Sequence, residues 1–174
     1  MSDPIGLYGS DLDESSQREA FLNGDVPVAV YGLGKMGLPL AGVYADLTGS
    51  VVGADVDPAV VASVNDGNCH VDGEPGLAAL VDRTVESGAL RAVDEPAAAA
   101  GEARLHVVIV PTLITDEGRA DLTIIESVIE DIAAGLQPGD LVVVESTVPP
   151  RTCEDVVVPR LAAGSGLDPG EFGV

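Results

Sequence analysis

Gly32, Gly34 and Gly37 stand in a G-x-G-x-x-G spacing inside VAVYGLGKMGLPLAGVYADLTGSVVGADVD (Val28–Asp57), between an apolar run and a helical run. An acidic residue, Asp55, ends the next apolar run. This pattern suits the backbone to an anion. Gly32 permits a tight turn, Gly34 lets the chain approach a pyrophosphate, and Gly37 lets the helix pack on the strand. The free N–H groups near Lys35 and Met36 then face the phosphates at the positive end of the helix. Asp55 can accept hydrogen bonds from both hydroxyls of an adenosine ribose. A 2′-phosphate would meet its charge with no arginine close in sequence, so NAD is expected over NADP. The rival reading is a purely structural turn, with Asp55 a solvated strand end. Asp57 reads as a helix N-cap rather than a ligand.

A clamp of this kind needs alternating strands and helices, and the sequence supplies them. VPVAVYG (Val26–Gly32), VVGAD (Val51–Asp55), LRAV (Leu90–Val93), LHVVIVP (Leu105–Pro111) and DLVVVEST (Asp140–Thr147) are strand-length apolar runs of the kind buried parallel strands show. Helices are expected over 35–49, from Pro58 to about Asp66, over 74–88, from Glu95 to about Ala103, over 120–135 and over 149–164, with a kink or break at Pro159. EFGV, at the end of the sequence, reads as the start of a further strand. Residues 1–24 read as an acidic tail with one helical turn around Glu14–Leu22, and residues 25–174 as one domain. The expected fold is α/β, a doubly wound, mostly parallel sheet of Rossmann type with right-handed crossovers. The glycine loop, Asp55, Pro111–Thr112 and Ser146–Thr147 all fall at strand C-termini, where such sheets bind ligands.

Composition narrows the function classes. The net charge is −21, from 29 acidic and 8 basic residues, and Lys35 is the one lysine. That balance opposes binding to nucleic acid or to an anionic membrane. It is expected of a halophile's protein, because salt would screen the self-repulsion. No apolar run approaches the roughly 20 residues of a membrane span. The first residues show no basic stretch followed by an apolar one, so a cytoplasmic site is expected. Two cysteines, Cys69 and Cys153, are too few for a disulfide scaffold. Cys69, His70 and Asp72 lie close together, but their spacing matches no usual zinc pattern, so no metal site is expected. His106 begins a buried strand and reads as structural.

Three further stretches follow the glycine loop in order: VNDGNCHVDGEPGLAALV (Val64–Val81), VVIVPTLITDEGRADLT (Val107–Thr123) and ESTVPPRTCEDVVVPRLAAGSGL (Glu145–Leu167). The loop GLGKMG alone would fit the 6-phosphogluconate and 3-hydroxyisobutyrate dehydrogenases equally well. In combination the segments resemble the N-terminal NAD-binding domain of the UDP-glucose/GDP-mannose dehydrogenase family, over nearly all of Val26–Val174. E-P-G-L at Glu74–Leu77 is most similar to the microbial branch that oxidises UDP-N-acetylmannosamine, although other branches share it in part.

The resemblance implies a two-step oxidation of a sugar 6-hydroxyl to a carboxylate, with two hydrides passed to two NAD. The family uses a cysteine nucleophile that forms a thiohemiacetal and then a thioester, assisted by a lysine, an asparagine and an aspartate. Carried over by position, Gly32, Gly34, Lys35, Met36 and Gly37 hold the pyrophosphate and Asp55 the ribose. Thr112 lines the cofactor site. Thr147 lies near the nicotinamide and positions the catalytic water, with Glu145 in support. Each of the last three has a plainer reading: Thr112 and Glu145 as ordinary strand ends, Thr147 as a helix cap. The family's P-T-P is here P-T-L, with Leu113 as the departure, and His70 stands where many members carry proline.

Neither Cys69 nor Cys153 matches the family nucleophile, which belongs to a later region; Cys153 lies in the helix after Thr147 and is expected to be buried. The sequence is therefore expected to be a piece of a longer enzyme that binds NAD without turnover, acts on a UDP-sugar when complete, and then dimerises. UDP-glucose 6-dehydrogenase, or a free-standing NAD-binding module, are the alternatives.

Overall fold

Every apolar run read as a strand enters one parallel sheet. The computed structural model describes residues 5–174. Its elements are α1 (Glu14–Leu22), β1 (Val28–Tyr31), α2 (Gly37–Thr48), β2 (Val51–Ala54), α3 (Pro58–Asn65), α4 (Leu77–Glu86), β3 (Leu90–Val93), α5 (Pro96–Ala100), β4 (Leu105–Val108), β5 (Leu113–Ile114), β6 (Ala120–Asp121), α6 (Thr123–Gly135), β7 (Leu141–Val144) and α7 (Val158–Ser165). The sheet order is β3-β2-β1-β4-β7. Val28 of β1 pairs with Val51 on one side and Leu105 on the other, and every pairing is parallel. This is the expected doubly wound Rossmann-type sheet. The chain leaves β1 in one direction for β2 and β3, then crosses to β4 and β7. The switch point therefore lies between the C-terminal ends of β1 and β4.

Alternation along β1 sends side chains to two cores. Val28 and Val30 pack with Leu38, Ala41 and Ala45 of α2 and with Leu77 and Val81 of α4. Ala29 and Tyr31 pack on the opposite face with Ile125, Ile129 and Ile132 of α6 and Leu161 of α7. The helix boundaries follow local chemistry. Asp57 caps α3, its carboxylate accepting from Ala59 N at 2.8 Å, and Pro58 fills the first turn. Gly49 ends α2 in the left-handed region at φ 73°, its N–H donating to Ala45 O.

Four features differ from the sequence reading. The segment before Asp25 carries a nine-residue helix rather than one turn, and Ile5, Leu7 and Phe21 pack against the core. The first four residues of the expected tail lie outside the described residues. The stretch read as loop and helix start contains an antiparallel hairpin, β5–β6, closed by Thr115 N donating to Arg119 O at 2.8 Å. The break expected at Pro159 takes the form of a π-helical turn, Cys153–Val157. Proline has no N–H to return to the preceding turn, and the Val158 N–H reaches back to Cys153 O instead. Cys153, expected to be buried, is half-buried. At the other end of the sheet, Gly173 makes a parallel bridge to Leu141, where EFGV had been read as a strand start.

A buried polar chain crosses the second core. Asp140 is fully buried; its carboxylate accepts from Arg104 Nη1 at 2.8 Å and Gln137 N at 2.7 Å, and faces His106 Nε2 at 3.4 Å. His106 Nδ1 lies 3.0 Å from the Tyr31 hydroxyl. Burial, reinforced by the charges of Asp131 and Asp140, pushes the Tyr31 phenol up, so it stays protonated and donates. A ring that donates from Nε2 to the Asp140 carboxylate accepts from the phenol at Nδ1. The expected structural role of His106 is this one.

Candidate cofactor site

The glycine loop joins β1 to α2 at the switch point. Gly32 sits at φ 94°, and a side chain there would place Cβ 2.7 Å from Ile109 O. At Gly37 a Cβ would lie 1.8 Å from Gly32 O. The fold alone therefore demands glycine at both positions. Gly34 is different. Its φ is one that any residue adopts, and a Cβ there would meet no heavy atom within 4 Å. Nothing among the described residues requires glycine at 34, and the open space there would let a dinucleotide approach the backbone. A purely structural turn leaves the glycine at this position unexplained.

The side chains around the loop converge on the same edge. Asp55 lies just beyond the end of β2, and its Oδ2 accepts from Leu33 N at 2.8 Å while Oδ1 accepts from Asp57 N at 3.0 Å. The carboxylate thus braces the loop and keeps lone pairs for further donors, which a solvated strand end would not do. Beside it lies an apolar compartment walled by Tyr31, Ala54, Val56, Pro96, Ile124 and Val128, a lining of the kind that suits a purine ring. A second hollow opens across the switch point. Gly34, Lys35, Met36 and Gly37 form one side, Pro111 and Thr112 the floor, and Glu145, Ser146 and Thr147 the other side. Gly32 and Asp55 border the first compartment and the remaining predicted residues the second, so one edge gathers them all.

Three observations say what this edge would hold. Among the described residues Lys35 and Arg18 make no ion pair, whereas Arg83, Arg91, Arg104, Arg119, Arg151 and Arg160 each pair with a carboxylate; of the two, Lys35 stands in the glycine loop. A free cation in so acidic a chain is suited to an anionic ligand. Thr112 Oγ1 is buried without a hydrogen-bond partner, an unmet need that a ligand's polar edge would satisfy. Met36 is 69% exposed, an apolar side chain left open beside the loop. These residues fit a dinucleotide.

Two residues to which the sequence reading gave no role in holding the loop or its partner strand shape the site. Ser146 Oγ donates to Val110 O at 2.8 Å and accepts from Val110 N at 3.1 Å, stapling the end of β7 to the end of β4. His70 reaches the glycine loop, its Nε2 lying 2.9 Å from Leu33 O. The sequence already placed Ser146 at a strand end on the binding edge, without the staple to Val110. The His70 contact spans 37 residues and leaves no local signature. Thr147 is exposed and does not cap a helix, because Thr152 occupies that place. Glu145 is exposed at the rim, and its charge, after burial, adds to the upward push on the Tyr44 phenol. Among the described residues no group of His, Cys, Asp or Glu could hold a metal, and no helix is long and apolar enough to cross a membrane.

Gly34 gives a direct test. Gly34→Ala is expected to leave the thermal midpoint unchanged and to weaken NAD binding by about 1–3 kcal/mol, roughly five- to 150-fold in Kd. Calorimetric titration beside a melting curve reads both quantities.

Comparison with known proteins agrees with this geometry. The family model described as "UDP-glucose/GDP-mannose dehydrogenase family, NAD binding domain" matches residues 26–174. A UDP-N-acetyl-D-mannosamine dehydrogenase of Methanococcus aeolicus is 35% identical over 148 residues, 83% of this chain and 32% of that protein. An NDP-N-acetyl-D-galactosaminuronic acid dehydrogenase of Ralstonia nicotianae is 40% identical over 129 residues, 74% of this chain and 29% of that protein. The crystal structure of a GDP-mannose dehydrogenase from Pseudomonas aeruginosa superposes with a TM-score of 0.79 at 31% identity, covering 84% of this chain and 34% of that one. The chain spans about a third of the length of the curated relatives it matches. From Val26 onward it is an NAD-binding domain, and the chain belongs to the UDP-glucose/GDP-mannose dehydrogenase family.

Proposed function

We infer that this domain serves a nucleotide-sugar 6-dehydrogenase that oxidises the sugar 6-hydroxyl to a uronate with two NAD, and that its substrate is UDP-N-acetyl-D-mannosamine. The observation that carries the reading is the shared hollow, in which the glycine loop faces Thr112, Glu145 and Thr147 across the switch point. The amides that open α2 hold the pyrophosphate, with Lys35 supplying charge. Asp55 takes the adenosine ribose and disfavours a 2′-phosphate. Thr112 offers its unpartnered hydroxyl to the cofactor. Thr147 positions a water near the nicotinamide end, and Glu145 supports it as an acceptor. NAD, when bound, supplies the hydride acceptor. The choice of sugar rests on the Methanococcus relative and on the E-P-G-L at Glu74–Leu77. The Ralstonia relative's name also carries an N-acetylated sugar. The complete protein is read as a cytoplasmic homodimer, and the charge of −21 as a halophile's adaptation.

Two measurements test this. Titrated in molar potassium chloride, the domain is expected to bind NAD and to bind NADP at least about tenfold more weakly, the worth of one unfavourable charge contact. The full-length protein is expected to reduce two NAD per UDP-N-acetylmannosamine and to act poorly on UDP-glucose and GDP-mannose. A preference for UDP-glucose would overturn the choice of sugar. Equal affinity for NAD and NADP would overturn the role of Asp55. A domain that melts earlier in molar salt than in dilute buffer would overturn the halophilic reading.

A further inference from the structure

We propose that His70 is a positioning residue of the dinucleotide clamp: it holds the Leu33–Gly34 peptide in the one orientation that suits a pyrophosphate. The proposal rests on the reading of the glycine loop as that clamp.

Leu33 is anchored at three points. Its side chain is fully buried, packed so closely on Gly53 of β2 that a Cβ there would lie 2.7 Å from Leu33 Cδ2. Its N–H donates to Asp55 Oδ2 at 2.8 Å. Its carbonyl accepts from His70 Nε2 at 2.9 Å. The first two anchors fix the residue and the peptide before it. They leave the peptide after it free to rotate, because that peptide is followed by Gly34, where no Cβ resists the change. A trans peptide points its C=O and N–H in opposite directions. Rotation of the Leu33–Gly34 peptide would therefore replace an N–H with a carbonyl oxygen, at the point where the backbone is bare for a phosphate. The glycine that makes room for the ligand also makes this peptide the weak place of the loop.

His70 is built to reach that carbonyl. Its neighbours Cys69 and Val71 pack against the core, and the Cys69 thiol donates to Val71 O at 3.3 Å. His70, between them, reaches instead to the glycine loop. A ring that donates from Nε2 meets the carbonyl in both the neutral Nε2–H tautomer and the cation. His70 is an exposed residue outside the hydrophobic core, so the core does not need it. Its bond acts on the population of binding-competent loop, and apparent affinity scales with that population.

The test uses the 174-residue chain, with NAD titrated into the wild type, His70→Ala and His70→Gln, and a melting curve for each. Glutamine places an amide N–H where Nε2–H was. His70→Ala is expected to raise the Kd for NAD by roughly three- to tenfold, the worth of one net hydrogen bond. His70→Gln is expected to restore wild-type affinity. Unchanged affinity in His70→Ala, with or without a lower midpoint, would make the contact structural only and overturn the proposal. Gln as weak as Ala would overturn it too. Failure of the wild type to bind NAD would remove the clamp reading and this proposal together; a defect confined to the proposal leaves wild-type binding intact.

Discussion

Gly37→Ala is expected to abolish NAD binding and to lower the thermal midpoint by about 6–12 °C, the equivalent of about 3 kcal/mol in a domain of this size. The new Cβ would lie 1.8 Å from Gly32 O and 2.9 Å from Ile109 Cγ2. Both neighbours are held. Gly32 donates its N–H to Ala54 O at 2.8 Å, and Ile109 N donates to Tyr31 O at 2.9 Å. Neither edge of the turn can move without breaking the ladder that joins β1 to β2 and β4. Relief must come from α2, whose Leu38, Ala41 and Ala45 are buried against the sheet. Withdrawing α2 opens that core and carries the amides of its first turn away from the phosphates. Stability and binding should fall together, whereas Gly34→Ala should lower binding alone. Thermal melts and NAD titrations of the two variants, side by side, separate a glycine the fold needs from one the ligand needs. A Gly37→Ala protein with native midpoint and native affinity would mean that α2 does not pack on the turn as described.

The contrast shows which parts of the site could be read from sequence. Strands buried on both faces are written as continuous apolar runs, so VAVY, VVGA, LHVV and LVVV were legible without neighbours. The parallel order followed from the helices between them. Caps were legible because Asp57 and Gly49 act within one turn of their own position. The hairpin β5–β6 was not, because strands of two residues have no period to detect. The contacts that make the edge a site were hidden for a different reason. His70 meets Leu33 across 37 residues, Ser146 meets Val110 across 36, and Tyr31 meets His106 across 75. Only the folded sheet brings such pairs together. The glycine motif marked the place and the ligand class, while the braces that hold its geometry came from the structure.

Asp140→Ala is expected to cost about 3–5 kcal/mol, the usual result of removing one partner from a buried ion pair, and hence roughly 6–20 °C of midpoint. Three donors lose their acceptor at once: Arg104 Nη1, Gln137 N and His106 Nε2. His106 is fully buried and cannot turn to water. Asp140→Asn keeps one oxygen but presents an amide N–H to a remaining donor, so it should recover only part of the loss. Salt separates this network from the acidic surface. Exposed carboxylates are screened in molar potassium chloride, whereas a buried pair is screened far less, so the gap between wild type and Asp140→Ala should persist there. Binding should be spared. Asp140 precedes the first residue of β7 and the cofactor edge lies beyond its last, about 16 Å along the strand. At that separation, the Kd for NAD of the folded fraction should change by no more than about twofold. A loss that vanishes in salt would place the carboxylate at the surface, and a large change in Kd would mean that the chain through His106 and Tyr31 carries strain from the bottom of the sheet to the compartment walled by Tyr31.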